Sequence, residues 1–134
     1  WTSKFSYTIN NNDVQFGGTR QAAMAPKIMA SASITYNYNS MSFALNQSHK
    51  GEYYFSDSHN FKSEEYALTN ISISKILEYF KISVWAKNIF DQKYAVRGFY
   101  FGLIPPNYED KLWVSYGEPA QYGVSFDYNF NNSF

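Results

Sequence analysis

Apolar and polar residues alternate along most of this chain with a period of two, which is the pattern of β-strands that have one apolar and one polar face. The last segment is the clearest, since rings and Val124 alternate with Gly, Ser, Asp and Asn between positions 122 and 130. The same alternation predicts six strands, at about 1–9, 27–38, 41–53, 65–77, 80–91 and 119–130.

One segment carries a competing pattern. Between positions 65 and 84 the apolar residues also follow a helical stripe formed by Ile73, Ile76, Leu77, Phe80 and Val84. We prefer two strands joined near 77–79, because β-branched residues and rings dominate the segment and both of its neighbours are predicted strands.

The links between the predicted strands alternate in length. Tight turns at 39–40 and 77–79 separate three longer links, at 10–26, 54–64 and 92–118. Short turns at one end of a sheet and long loops at the other are typical of outer-membrane β-barrels, with the turns in the periplasm and the loops outside the cell. In that arrangement the last strand runs toward the periplasm.

The amino-acid composition supports strands with one apolar face. Aromatic residues make up 21% of the chain, with 13 Tyr and 12 Phe, yet the mean hydropathy is −0.44. No segment approaches the roughly 18–20 apolar residues that a membrane helix requires. The first residue is Trp1 and no signal peptide is present, so we expect a fragment of a longer protein.

Six such strands lack a partner for their apolar face. No amphipathic helix is predicted to cover it, and an open sheet would also leave two edges unpaired. A bilayer removes both problems, since lipid covers the apolar face and further strands close the sheet into a barrel. A soluble β-sandwich or small barrel, whose apolar face would form an interior core, remains the alternative on pattern alone.

A family resemblance favours the membrane interpretation. The stretch WAKNIFDQKY at 85–94 looks like the K-N-L-F-D-x-x-Y segment near the end of TonB-dependent receptors, and AVRGFYFG at 95–102 is similar to a stretch that follows in some of them. YGEPAQYGVSFDYNF at 116–130 resembles their final strand. Weaker likenesses, APK at 25–27 and YALTN at 66–70, extend the resemblance to nearly the whole chain.

The resemblance implies an all-β, antiparallel, up-and-down transmembrane β-barrel, of which this chain supplies about the last six strands and residues 1–134 form one segment. It implies a 22-stranded barrel in the outer membrane of a Gram-negative bacterium, with an N-terminal plug domain and a TonB-contacting segment upstream of this chain. Its partners would be outer-membrane lipid, the plug, the remaining strands and TonB. The implied function is active uptake of a scarce nutrient, such as an iron–siderophore complex.

Outer-membrane barrels usually end on an aromatic residue that the barrel-assembly machinery recognises. The resemblance therefore implies an assembly signal on the last strand, and Phe130 occupies the family's terminal position. Four more residues follow, and Phe134 has the same parity, so the candidates remain open; they are Phe126, Tyr128, Phe130 and Phe134.

Candidate binding residues lie in the longest link. Extracellular loops of such receptors hold part of the ligand site, which singles out Arg97, Tyr100 and Trp113, although rings and charges at a barrel rim also serve as a solvated girdle. A second group is predicted to face the barrel lumen, on the transport path or against the plug; it comprises Lys50, Glu52, Ser83, Trp85 and Lys87.

The sequence offers little for catalysis or cofactors. His49 and His59, the only histidines, have few nearby ligands for a metal. No nucleophile or phosphate-loop motif appears, the absence of cysteine excludes disulfides and thiolate sites, and the zero net charge does not favour nucleic acid. We therefore expect no enzyme and no cofactor. The alternative function is a soluble β-domain that binds carbohydrate through Trp113 and Tyr116.

Overall fold

The fold is all-β and antiparallel. The computed structural model describes residues 2–9, 13–15 and 19–128, and these residues form no helix. They contain twelve strands, which are β1 (Thr2–Ile9), β2 (Asp13–Gln15), β3 (Thr19–Gln21), β4 (Ile28–Tyr38), β5 (Met41–Lys50), β6 (Tyr53–Tyr54), β7 (Lys62–Ser63), β8 (Tyr66–Ile76), β9 (Phe80–Lys87), β10 (Ala95–Phe101), β11 (Lys111–Tyr116) and β12 (Gln121–Tyr128). No helix in the described ranges is long and apolar enough to cross a membrane.

Six of the strands form one sheet in chain order, β1-β4-β5-β8-β9-β12, and every neighbouring pair is antiparallel. These are the six strands that the alternation predicts. The helical interpretation of 65–84 is wrong, because Ile73 pairs with Phe43 on one side and Val84 on the other. Cross-strand pairing at this register places β-branched and aromatic residues together, which outweighs the helical stripe.

Some strands are shorter than predicted. β5 ends at Lys50 rather than 53, and β9 ends at Lys87 rather than 91. The 92–118 link is not irregular but contains the β10–β11 hairpin. Smaller hairpins, β2–β3 and β6–β7, occupy the other two long links. The candidate assembly residues Phe130 and Phe134 lie outside the described residues.

The register separates an apolar from a polar face of the sheet, with a few residues of the other kind on each. We call one side the apolar face; it consists of the described residues that alternate outward on all six strands, chiefly Phe5, Tyr7, Ile9, Ile34, Tyr36, Tyr38, Phe43, Leu45, Ile71, Ile73, Ile82, Val84, Tyr122, Val124, Phe126 and Tyr128. The opposite, polar face is rich in Ser and Asn, and its large rings are Trp85 and Tyr66. Both predicted faces of the strands are confirmed at this level.

The apolar face is the more exposed one. Val84 is 55% exposed and Val124 is 71% exposed, whereas Ser83 and Ser125, which precede or follow them on the polar face, are partly buried. Among the described residues, the buried apolar or aromatic side chains are Tyr53, Phe55 and Ala86, and the first two lie in β6 and directly after it, outside the six-stranded sheet. Within the described ranges, the sheet therefore has no hydrophobic core of its own, and no second layer covers its apolar face.

Two polar residues interrupt the apolar face and satisfy each other. Thr69 Oγ1 donates a hydrogen bond to Gln47 Oε1 across the β5–β8 pair, and Thr69 is buried. A polar group that faces an apolar medium is costly unless it has such a partner. The pair therefore lowers the cost of placing an amide and a hydroxyl among apolar neighbours.

The two ends of the sheet differ as predicted. At one end, β4 and β5 are joined by the tight turn at 39–40, where Asn39 adopts a positive φ of 52°, and β8 and β9 are joined at 77–79. We call this the short-turn end. At the other end lie the three long links, and they pack on one another as described below. The outer edges, β1 and β12, have no strand partner among the residues that are described.

Candidate functional site

The three long links meet at the end of the sheet opposite the short turns, and we call their described residues, 19–27, 51–65 and 88–120, the loop cluster. Five of the buried side chains of the described chain lie here, and they are Tyr53, Ser63, Asn88, Phe55 and Gln21. Since the sheet itself has no core, this cluster is where tertiary packing concentrates.

A turn after β9 anchors the cluster to the sheet. Asn88 is only 4% exposed and has a positive φ of 47°, and its backbone N–H donates to Asn70 Oδ1 at 3.0 Å. Its side-chain Nδ2 donates to the carbonyls of Gln92 and Glu118, at 3.0 and 3.1 Å, and its Oδ1 accepts from Gln92 N at 2.9 Å. One buried amide thus joins the two ends of the longest link.

Asp91 and Tyr94 complete the same connection. Asp91 Oδ1 accepts a hydrogen bond from Ala120 N at 2.8 Å, and Gly117 N donates to the Tyr94 carbonyl at 2.9 Å. The Tyr94 ring lies against Gly117, where an added Cβ would stand 2.0 Å from the ring. The Asn, Asp and Tyr of the 85–94 motif, together with Gly117, therefore have a structural role, which is to hold the two ends of the longest link together. This role requires no ligand.

A second set of contacts joins the middle link to the longest one. The Tyr53 hydroxyl is within 3.1 and 3.2 Å of the carbonyl oxygens of Ala95 and Val96, and Ser63 Oγ donates to the same Ala95 carbonyl at 3.0 Å. The pairing of β10 with β11 is irregular between Ala95 and Arg97. Because the ladder is disrupted there, hydroxyl groups from the neighbouring link supply hydrogen bonds to these carbonyls.

Aromatic packing reinforces this junction. The Phe55 ring covers Gly98, where a Cβ would approach it to 2.4 Å. Further out, the Tyr100 ring packs on Phe61 with centroids 4.9 Å apart and on His59 at 5.8 Å. The β6–β7 hairpin therefore lies against one face of the β10–β11 hairpin.

The first long link is attached as well. Met24 N donates to the Tyr54 carbonyl at 2.8 Å, and Ala23 N donates to Asp57 Oδ1 at 3.1 Å. All three links are thus connected through the 51–65 segment. Sequence reasoning missed this role, because the partners of Tyr53 lie more than forty residues away in the chain.

The predicted binding residues do not converge. Arg97 and Trp113 share one face of the β10–β11 hairpin, where Trp113 pairs with Phe99 and its Nε1 donates to the Phe101 carbonyl at 3.1 Å. Tyr100 lies on the opposite face, toward the β6–β7 hairpin. Tyr116 also lies opposite Trp113 by strand parity, so these two rings do not form one sugar-binding platform.

The residues predicted to face a lumen mostly share the polar face. Lys50, Ser83, Trp85 and Lys87 lie there by register, whereas Glu52 follows the end of β5 and belongs to the loop cluster. The Trp85 ring covers Gly123, where a Cβ would come within 2.2 Å, and its Nε1 donates to Ser125 Oγ at 3.1 Å. A tryptophan on the polar face is therefore held by its neighbour on β12.

A cleft of about 350 Å³ opens within the loop cluster. Its wall includes Tyr66, Tyr94 and Tyr116, and its polar groups come from Lys62, Glu64, Glu65, Gln92 and Lys93. Nearby, Lys62 Nζ lies 2.6 Å from Glu52 Oε1, and this hydrogen bond is the main cause that raises the pKa of Lys62. Lys93 Nζ lies over the Tyr116 ring at 4.2 Å from its centroid. The cleft combines aromatic surface with balanced charge.

The structure offers no metal centre in the ranges it describes. His49 Nε2 comes within 4.0 Å of Glu65 Oε2, but no group of three or more potential His, Cys, Asp or Glu ligands is found among the described residues. Comparison with known proteins adds no identification, because no protein-family model and no solved structure matches this chain.

Proposed function

We propose that this chain is the C-terminal part of a transmembrane β-barrel of the TonB-dependent receptor kind, and that the whole protein imports a scarce nutrient across an outer membrane. The observation that carries the proposal is the exposed apolar face. It extends over all six strands of the sheet and no layer of the described chain covers it, while the polar side chains line the other side. Hydrocarbon is the medium that such a face fits.

The strand dimensions support the same medium. β4 and β8 each contain 11 residues, and β5 contains 10. Eleven residues at about 3.3 Å each, tilted by roughly 45°, cover about 25 Å, which is the height of the apolar band of outer-membrane barrels. Apolar-face rings also lie at the short-turn end, where Phe80 contacts Phe126. Aromatic girdles at membrane interfaces have this composition.

The free edges support membership of a larger barrel. Among the residues that the structure describes, β1 and β12 each pair with a strand on one side only, and backbone groups cannot remain unpaired in lipid. Further strands of the same protein would pair with them and close the barrel. The loop cluster would then lie at the extracellular rim, and its cleft would be a candidate place for ligand contact. The motif resemblance of 85–130 suggests the receptor class, and iron–siderophore uptake is the expected example.

The first test is the location and state of the full-length protein in its host. We expect it in the outer-membrane fraction, soluble only in detergent, and migrating faster on SDS gels before boiling than after, as folded barrels do. Recovery as a soluble monomer without detergent would contradict the proposal and favour the soluble carbohydrate-binding alternative.

The second test addresses transport. Deleting the gene should abolish the energy-dependent uptake of one nutrient from a labelled panel of ferric siderophores, haem, cobalamin and oligosaccharides. Depleting TonB in the parent strain should remove the same uptake. Unchanged uptake of every compound in the panel, in a strain whose outer membrane carries the protein, would contradict the import function while leaving the barrel fold intact.

A further inference from the structure

The apolar face carries almost no charge, and its one strong cation stands at a particular level. Among the described apolar-face positions on the six strands, no Asp, Glu or Arg occurs, and Lys75 is the only lysine. Lys75 is exposed and lies between Met41 on β5 and Ile82 on β9. A single ammonium group among apolar neighbours therefore needs a partner from outside the sheet.

The position of Lys75 along its strand suggests the depth of that partner. The apolar-face positions of β8 run from Ala67 to Lys75, with Ile71 in the middle. Lys75 lies four residues from Ile71, and at about 3.3 Å per residue and a tilt of roughly 40° this places its Cα about 10 Å from the middle of the band. A lysine side chain extends its charged head beyond its apolar stem, so the ammonium reaches the edge of an apolar band about 25 Å tall.

The residues around Lys75 are typical of a membrane–water interface. It lies at the short-turn end, in the same cross-strand row as Tyr38 and Phe126. Tyr38 is 60% exposed and Phe126 is 63% exposed. Rings of this kind lie at the headgroup level of membranes, where a cation faces phosphate groups.

We propose that Lys75 binds the phosphate of a phospholipid headgroup in the leaflet around the short-turn end of the sheet. The inference rests on the proposed barrel and adds a specific lipid contact to it. A phosphate complements the isolated ammonium, and the flanking rings and Met41 accommodate the adjoining glycerol and acyl carbons.

The depth of the apolar face is tested with spin labels on the full-length receptor in phospholipid vesicles. The chain contains no cysteine, so Val84→Cys and Lys75→Cys introduce unique thiols into it; any cysteine elsewhere in the receptor would first be replaced. Accessibility to oxygen and to a water-soluble nickel complex should place the Val84 label in hydrocarbon and the Lys75 label at the headgroup level. A Val84 label in water would overturn the barrel proposal itself.

Lipid binding is tested by native mass spectrometry of the detergent-purified receptor with added phosphatidylglycerol or a phosphate-free glycolipid. Lys75→Gln should weaken phosphatidylglycerol binding roughly fivefold, the factor that one lysine contributes at an anionic surface, and should leave glycolipid binding unchanged. Lys75→Arg should retain binding because it keeps the charge, and the unchanged glycolipid binding of Lys75→Gln excludes misfolding as the cause of its loss. Lys81→Gln is the matched control, since Lys81 lies on the polar face near the same end.

The outcomes separate the two proposals. If the Val84 label is in hydrocarbon but Lys75→Gln causes no loss, or Lys81→Gln causes an equal loss, the lipid contact is wrong and the barrel stands. A Lys75 label as deep as that at Val84 would also overturn the contact. Selective loss in Lys75→Gln, with binding retained in Lys75→Arg, would establish it.

Discussion

Replacing Val84 by lysine tests the assignment of the two faces most directly. Val84 lies on the apolar face near the middle of β9, between Ile73 and Val124, and is 55% exposed. The matched variant is Ser83→Lys, because Ser83 is the preceding residue on the same strand and lies on the polar face between Ser74 and Ser125. The two variants add the same charge at nearly the same depth.

The expected costs differ because the media differ. In a barrel, a lysine facing hydrocarbon near the bilayer midplane costs about 2–4 kcal/mol, whereas a lumen substitution faces water or polar groups. A loss of 2–4 kcal/mol lowers the equilibrium constant for folding by roughly 30- to 1,000-fold. Ser83→Lys should change it by less than about 0.5 kcal/mol, the usual range for a surface substitution away from special features.

The assay is reversible urea unfolding of the full-length protein in phospholipid vesicles, followed by the gel shift between folded and unfolded barrel. Val84→Ala serves as a further control, since it removes the side chain without adding charge. Equal stability of Val84→Lys and Ser83→Lys would refute the assignment of faces. A greater loss in Ser83→Lys would place the hydrophobic environment on the other side of the sheet.

Three further variants test separate features of the structure. Asn88→Ala should destabilise the protein by roughly 2 kcal/mol in the same urea assay, because it removes the three hydrogen bonds of a buried side-chain amide to the backbone of Gln92 and Glu118; a loss no larger than that of Gln92→Ala, which keeps the backbone groups, would contradict this role. Gly98→Ala should cost about 1–3 kcal/mol, since its Cβ would overlap the Phe55 ring, and should raise amide exchange in residues 53–63; unchanged exchange there would show that the two hairpins are not coupled. Thr69→Val should destabilise by about 1–3 kcal/mol because Gln47 loses its partner, whereas the double variant Thr69→Val with Gln47→Leu should recover most of that loss; additive losses would contradict the pairing.

The candidate site was less predictable than the sheet. The sequence singled out Arg97, Tyr100 and Trp113 by residue type and loop position, but which of them share a face depends on the pairing of β10 with β11 and on the irregularity after Ala95. A one-residue shift in register moves a side chain to the other face, and no local signal fixes that shift. The hydrogen bonds of Tyr53 could not be predicted for a related reason, since their acceptors belong to a different link.

The sequence by itself determined the six main strands, which residues of each strand share a face, and the two tight turns. Alternation with period two is a local property, because successive side chains of a strand point to opposite sides whatever the strand pairs with. Tertiary structure decided where β9 ends, because Asn88 follows it and bonds to Asn70 and Glu118, which are distant in the chain. It also decided that the long links form hairpins which pack together, since ring contacts and hydroxyl bonds between separate loops depend on distances that only the folded sheet sets.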